Sequence, residues 1–420
     1  MRRQMRRIGQ LTAMKVCFDT FGCRLNRAEA LQEEAKFLDS GWSVTRRHAD
    51  ADLIVIRGCS ITARAQRDCE KHIARLKEKY PATRLLVQGC LPETIKTALP
   101  GKWELGNGKR EVGSGKWEDK KDNEEPLPTR TARAYLKVQD GCNCRCTFCI
   151  VPRFRGRSVS EPFDKVIDKA RRFIDAGYRE IVVTGCNLSL YSSQGRGFAE
   201  LAAALAGLGG ARIRIGSLEP GSAALETVHA MAETPSLCRF LHLSVQSASE
   251  SVLASMKRPY RAKDVDHLVR EALRLMPDIR LGCDIITGFP GEMDIDHLST
   301  RGFLMRFPFT TAHIFPYSER TGTPVASFQN AIPKEIRRAR ARELAGISSR
   351  ALARYAKKFV GRAVDIVIED KNSAAGWTGE YLWCEAVGAQ PPPRKSIAKV
   401  HVISAGADGK LKGRIIGHGG

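Results

Sequence analysis

The chain has 420 residues, 43% hydrophobic and 27% charged, with a formal net charge of +22. That length exceeds one ordinary core and predicts two or three domains, and the balance is that of a soluble globular protein. Thirteen cysteines are too few per residue for a disulfide scaffold and point to a reducing cytoplasm. No window approaches the ~18–20 apolar residues of a membrane span, and no membrane partner is expected. No apolar stretch follows the arginines near the start, which disfavours a secretory signal; translation could begin at Met1 or Met14.

The first hundred residues repeat one pattern three times. Lys15–Asp19, Leu53–Ile56 and Leu85–Val87 read as strands ending in Gly22-Cys23, Gly58-Cys59 and Gly89-Cys90. Helices are expected over Ala28–Asp39 and Ala63–Lys79, with a short one after the third strand, which predicts a parallel α/β sheet. Ligands bind such sheets at the carboxyl ends of the strands. Cys23, Cys59 and Cys90 all fall there and form a candidate three-thiolate cluster site.

Residues 106–130 read as a polar linker with Pro126 and Pro128. Strands are then expected at Tyr135–Val138, Ile181–Thr184, Ile213–Leu218, Leu241–Gln246, Leu281–Ile286 and Thr311–Phe315. With helices such as Phe163–Ala176 and Ala262–Met276 between them, they predict a partial (β/α)6 barrel with its site on the loops after the strands. A helix from Pro333 to Lys358 follows. Ile336, Leu344, Ile347, Leu352 and Tyr355 share its apolar face, and Arg337, Arg338, Arg342, Arg350 and Lys357 the solvated one. Strands at Ala363–Ile368, Glu380–Ala386 and Ala398–Ile403 predict a small all-β barrel of the kind that binds oligonucleotides. From Ala331 onward there are 17 basic and 8 acidic residues, which suits contact with a polyanion. The α/β reading therefore divides the chain into 14–105, the linker 106–130, a barrel domain 131–358 and a β-barrel 359–420.

Between the first barrel strand and its helix lies Gly141-Cys142-Asn143-Cys144-Arg145-Cys146-Thr147-Phe148-Cys149. Cys142, Cys146 and Cys149 have the spacing C-x3-C-x2-C. Three thiolates on one loop can hold three irons of a [4Fe–4S] cluster and leave the fourth open to a small molecule. Cys144 could instead complete a four-thiolate zinc site, but zinc cages usually draw two pairs from separate loops. Spacing favours Cys144 as a bystander. Glu219 and Asp284 end barrel strands and are candidates for cofactor contact. The nine histidines show no metal-ligand spacing.

This loop resembles the signature of the radical S-adenosylmethionine (SAM) superfamily, and its context resembles the methylthiotransferases. Thr20-Phe21-Gly22-Cys23-Arg24-Leu25-Asn26 is similar to their first cysteine motif, and Cys59 and Cys90 match the other two. Leu243–Ser247, Gly288–Glu292 and Phe315–Ser318 are further matches. Arg57-Gly58 departs from the usual Asn-Thr before the second cysteine. The tail is similar to a TRAM domain. The resemblance implies two [4Fe–4S] clusters: Cys142, Cys146 and Cys149 for the one that cleaves SAM to a 5′-deoxyadenosyl radical, and Cys23, Cys59 and Cys90 for an auxiliary one carrying the sulfur. A second SAM would supply the methyl group, and a low-potential electron donor is implied.

Ile215-Gly216-Ser217-Leu218-Glu219-Pro220 resembles the branch acting on N6-threonylcarbamoyladenosine 37 in the tRNA anticodon loop, and Gly185–Leu188 and Tyr317–Pro324 lean the same way. The alternatives are the branches acting on N6-isopentenyladenosine 37 or on a ribosomal-protein aspartate. An iron–sulfur RNA-binding protein without turnover is the non-enzyme alternative. An electron carrier is disfavoured, since carriers are small and fully ligated.

Overall fold

The computed structural model describes residues 13–92, 95, 126–128, 130–370, 374–387 and 392–419. Most of the expected linker, and the short helix after the third strand, lie outside the described residues. Two compact units are present, one containing the first cysteine repeats and the other everything from Arg130 onward.

In the first unit, β1 (Lys15–Thr20), β2 (Ser43–Thr45), β3 (Leu53–Cys59) and β4 (Arg84–Cys90) form a parallel sheet in the order β2-β1-β3-β4. Side chains alternate across the central strand β3. Leu53 and Val55 pack with Val16 and Phe37, while Ile54 and Ile56 pack with Ile73, Leu76 and Leu91. Both faces are apolar because helices cover both. The helix α1 (Arg24–Asp39) starts directly after Cys23, earlier than its apolar pattern suggests. Buried Asn26 fixes that start, donating to the carbonyls of Phe21 at 2.9 Å and Gly58 at 2.7 Å. The helix α2 (Ala63–Lys79) covers the other face through Cys69, Ile73 and Leu76.

In the second unit, β5 (Ala134–Lys137), β6 (Glu180–Thr184) and β7 (Arg212–Ile215) form one parallel sheet. A second contains β8 (Ser217–Leu218), β9 (Phe240–Gln246), β10 (Arg280–Thr287) and β11 (Phe309–Pro316). The single strand expected over Ile213–Leu218 is thus two, with β7 pairing to β6 and β8 to β9. Gly216 makes the break possible. A Cβ there would stand 2.9 Å from the Val183 carbonyl, so only a bare backbone fits where the wall passes from one sheet to the other.

The long helix α3 (Lys334–Lys357) departs from expectation at Arg337. That side chain is buried, not solvated: it donates to the carbonyls of Ile332 and Tyr317 and pairs with Glu319. Ile336 is exposed instead. The Gly288–Glu292 segment explains the reversal. Gly288 has φ +68°, and a Cβ on it would lie 2.3 Å from the Arg337 side chain. Glu292 accepts from the Gly288 amide at 3.0 Å and from Arg340 at 2.5 Å. The motif therefore clamps α3 to the end of β10.

The tail is a five-stranded closed barrel of β12 (Ala363–Asp370), β13 (Ala374–Thr378), β14 (Trp383–Val387), β15 (Ile397–Ala405) and β16 (Leu411–Gly419), ordered β12-β13-β14-β16-β15. β13 and β16 were not expected from the sequence. Gly376 and Gly413 dilute their apolar pattern, yet a Cβ at either would strike a facing carbonyl, so tight closure requires them. The strand expected from Glu380 starts at Trp383, because residues 378–382 make a turn with Tyr381 at φ +64°.

That turn abuts the amino-terminal end of the central barrel. Glu180 and Arg214 are wholly buried and bonded at 2.7 Å, and Arg212 joins the same carboxylate at 2.7 Å. Further guanidinium hydrogens go to backbone carbonyls of the turn: Arg214 to Thr378 at 2.7 Å and Gly379 at 3.1 Å, and Arg280 to Glu380 at 3.2 Å. Tyr381 stacks on Trp377, with the Arg214 guanidinium 4.6 Å from its ring centre.

Candidate functional site

In the first unit a glycine precedes each of the three cysteines and lets the chain ends there pack closely. Cys59 and Cys90 are register partners on β3 and β4. A Cβ on Gly22 (φ +94°) would lie 2.9 Å from the Cys59 sulfur. One on Gly58 would strike Leu91 and Cys69, and one on Gly89 (φ +102°) would sit 2.5 Å from the Gly58 carbonyl. Cys59 and Cys90 are buried and Cys23 is exposed. The Arg57 departure is absorbed locally, since its guanidinium bonds Glu29 at 2.8 Å, Glu33 at 3.2 Å and Gln88 at 3.2 Å.

In the second unit the Gly141–Cys149 loop is pinned from several sides. The Gln139 amide donates to the carbonyls of Asp140 and Gly141 and to Ser158, and its oxygen accepts from the Asn187 amide. Gly141 has φ +66°, and a Cβ there would overlap the Arg157 carbonyl. The Cys142 amide donates to Gly156, and that of Thr147 to Met256. Cys142, Cys144 and Cys146 are thereby gathered. Hydrogen bonding with Cys144 lowers Cys142 to about 6 against the effect of burial, and Cys146 to about 7 with help from the Arg258 charge. Cys144 itself is pushed far up, and burial raises Cys149 to about 12. Thiolate is the iron-ligating form, and two clustered sulfurs held toward it fit a metal cluster.

Glu219 belongs to this group. Its carboxylate lies 3.5 Å from the Cys144 sulfur, 3.2 Å from the Asn187 amide and 2.9 Å from Arg258. Arg258 also donates to the Cys146 sulfur at 2.9 Å and to the Tyr260 hydroxyl at 2.9 Å. Cys144, expected to stand aside, sits between the neighbouring thiols and Glu219. Asp284 keeps other company: His242, His313 and Ser244. Burial would raise its pKa, but hydrogen bonds from the two histidines hold it well below the usual carboxylate range.

Sequence reasoning missed Asn187 as a contact and missed Arg258 altogether. The lone sign of Arg258 is an arginine just before Pro259, in a loop with no motif of its own.

Residues 136–304 match the radical SAM superfamily, and residues 15–104 match the uncharacterized protein family UPF0004. Among solved structures, the radical SAM methyltransferase TsrM of Kitasatospora setae aligns with TM-score 0.51 at 13% identity over 75% of this chain and 74% of its own, a likeness of fold. Fold and superfamily together define a radical SAM enzyme, a class that implies a [4Fe–4S] cluster and SAM.

Relatives narrow the class. The threonylcarbamoyladenosine tRNA methylthiotransferase MtaB of Thermotoga maritima is 30% identical over 95% of this chain and 99% of its own. MtaB of Bacillus subtilis is 29% identical over 93% and 94%. The tRNA-2-methylthio-N(6)-dimethylallyladenosine synthase of Bordetella avium is 30% identical over 96% and 92%. The chain belongs to the methylthiotransferase family of radical SAM enzymes. Among the described residues, no helix is long and apolar enough to cross a membrane.

Proposed function

We propose that the chain installs a methylthio group at C2 of N6-threonylcarbamoyladenosine 37 in tRNA. Overall identity does not separate this substrate from the dimethylallyl one, since relatives of both names stand near 30%. The observation that carries the choice is local. The Ser217–Pro220 segment, which resembles the threonylcarbamoyladenosine branch, delivers Glu219 to the cysteine loop, where Arg258 and Asn187 hold it. The charge of +22 favours RNA over protein as substrate. An anticodon-loop base can be splayed out and read at its edges in a pocket at the barrel mouth.

In this reading Cys142, Cys146 and Cys149 hold the cluster that binds SAM, and Cys23, Cys59 and Cys90 hold an auxiliary cluster. When bound, the two would supply the electron that cleaves SAM and the sulfur that is inserted. The protein's part is to favour thiolate at Cys142 and Cys146, exclude water and position Glu219 beside the bound cofactor. Residues 14–105 carry the auxiliary site, 131–358 the radical site and 359–420 an RNA contact. A cytoplasmic location and a low-potential electron donor complete the proposal.

The direct test is mass spectrometry of tRNA nucleosides from a strain lacking this activity and complemented with this gene. Restoration of 2-methylthio-N6-threonylcarbamoyladenosine supports the assignment. Restoration of only the isopentenyl counterpart refutes it.

A further inference from the structure

A second set of ligand-type side chains lies on the wall of the central barrel. His242 on β9 is in register with Gly282 on β10, and Asp284 on β10 is in register with His313 on β11. Because strand side chains alternate, these three share one face. They are separated by tens of residues in the chain, so no spacing rule reveals them, and only the three adjacent parallel strands bring them together.

Their geometry suits one shared ion as well as the hydrogen bonds between them. Oδ1 of Asp284 is 3.2 Å from Nε2 of His242 and 3.2 Å from Nδ1 of His313. All three ligand atoms lie within 4.8 Å of one another. Bonds of ~2.0–2.2 Å to one ion place neighbouring ligand atoms roughly 2.9–3.5 Å apart at octahedral or tetrahedral angles. The contrast is Asp19 in the first unit, whose Oδ2 is 2.9 Å from His48 and 2.5 Å from His72. The 2.5 Å contact to His72 is a hydrogen-bond length too short for two ligands of one ion.

The surroundings also fix the ligands. A Cβ on Gly282 would lie 2.6 Å from Nδ1 of His242 and 3.0 Å from the Phe240 ring, so the imidazole rests on bare backbone. Ser244 donates to the other Asp284 oxygen at 3.4 Å. His242 is 4% exposed and His313 55%, giving the group a closed floor and one open side.

We propose that Nε2 of His242, the Asp284 carboxylate and Nδ1 of His313 bind one divalent transition-metal ion. Two histidines and one carboxylate on one face leave coordination positions free, on the His313 side, for an oxygen ligand. A metal ion held there goes beyond the proposed methylthiotransfer.

The test uses the full chain, anaerobically reconstituted and kept oxidised so that its clusters are diamagnetic, then freed of loose metal and titrated with Mn(II) alone. Electron paramagnetic resonance of the free ion reads binding, and thiolates compete poorly for this hard cation. One Mn(II) per chain is expected, with affinity at least about tenfold weaker in Asp284→Asn and in His313→Ala and clearly reduced in Gly282→Ala. His313→Ala removes an exposed side chain and decides the matter if the buried variants fail to fold. No binding by the unaltered chain, or equal binding by His313→Ala, would overturn the proposal.

Discussion

Arg258 reaches the Cys146 sulfur, Glu219 and Tyr260 at once, and its side chain and that of Glu219 are almost wholly buried. Removing one partner of such a pair strands the other charge in low dielectric, which typically costs about 3–5 kcal/mol. Arg258→Met should therefore lower unfolding free energy by roughly that amount in denaturant titration. Arg258→Met combined with Glu219→Leu should recover part of it, since replacing both partners removes the uncompensated charge. SAM cleavage by the folded single variant should fall about 10–100-fold, as for other groups that orient a metal's ligands. Full activity in Arg258→Met would remove it from the site. The six cysteines proposed as ligands could be picked out in the sequence because cluster chemistry needs thiolates at short spacing or at strand ends. Arg258 was not, because a guanidinium that crosses a barrel leaves no period or motif in the chain.

Among the elements, the strands that bury both faces were the most legible, as β3 and β9 illustrate: continuous apolar runs have few other folds available. The break at Gly216 and the strands β13 and β16 were hidden because glycine serves there as space, and space has no hydropathy. The charged layer under the barrel was equally hidden. Burial would raise the Glu180 pKa, but Arg214 and Arg212 overcome it and hold the carboxyl far below its usual range. A depressed folded pKa contributes stability above the unfolded value of about 4.3 and loses it as the pH falls below that value. Glu180→Gln should thus be less stable than the unaltered chain at pH 7 by about 3–5 kcal/mol. The gap should narrow as pH falls below about 4, read from urea midpoints at each pH. A gap independent of pH would show that the carboxylate charge is not what matters.

At the scale of the whole molecule, the small barrel cannot simply be deleted to test its role, because the turn at 378–381 satisfies buried Arg214 and Arg280. Its outer face offers a cleaner probe: Lys399, Lys412 and Arg414 are exposed on β15 and β16 and point away from the core. Changing all three to glutamine should weaken tRNA binding and reduce its log–log salt slope by about 2–3. An unchanged slope would remove this face from the interface. In the proposed division of labour, one set of cysteines makes the radical and the other serves sulfur insertion into threonylcarbamoyladenosine. Its most direct test is the reconstituted full chain with dithionite, SAM and tRNA carrying either modified adenosine, with 5′-deoxyadenosine and methylthio-nucleosides measured together by mass spectrometry. The threonylcarbamoyladenosine tRNA should give both products, Cys146→Ala neither, and Cys90→Ala 5′-deoxyadenosine without methylthio product. Methylthio product on the isopentenyl tRNA alone, or equal loss of cleavage in the two variants, would contradict it.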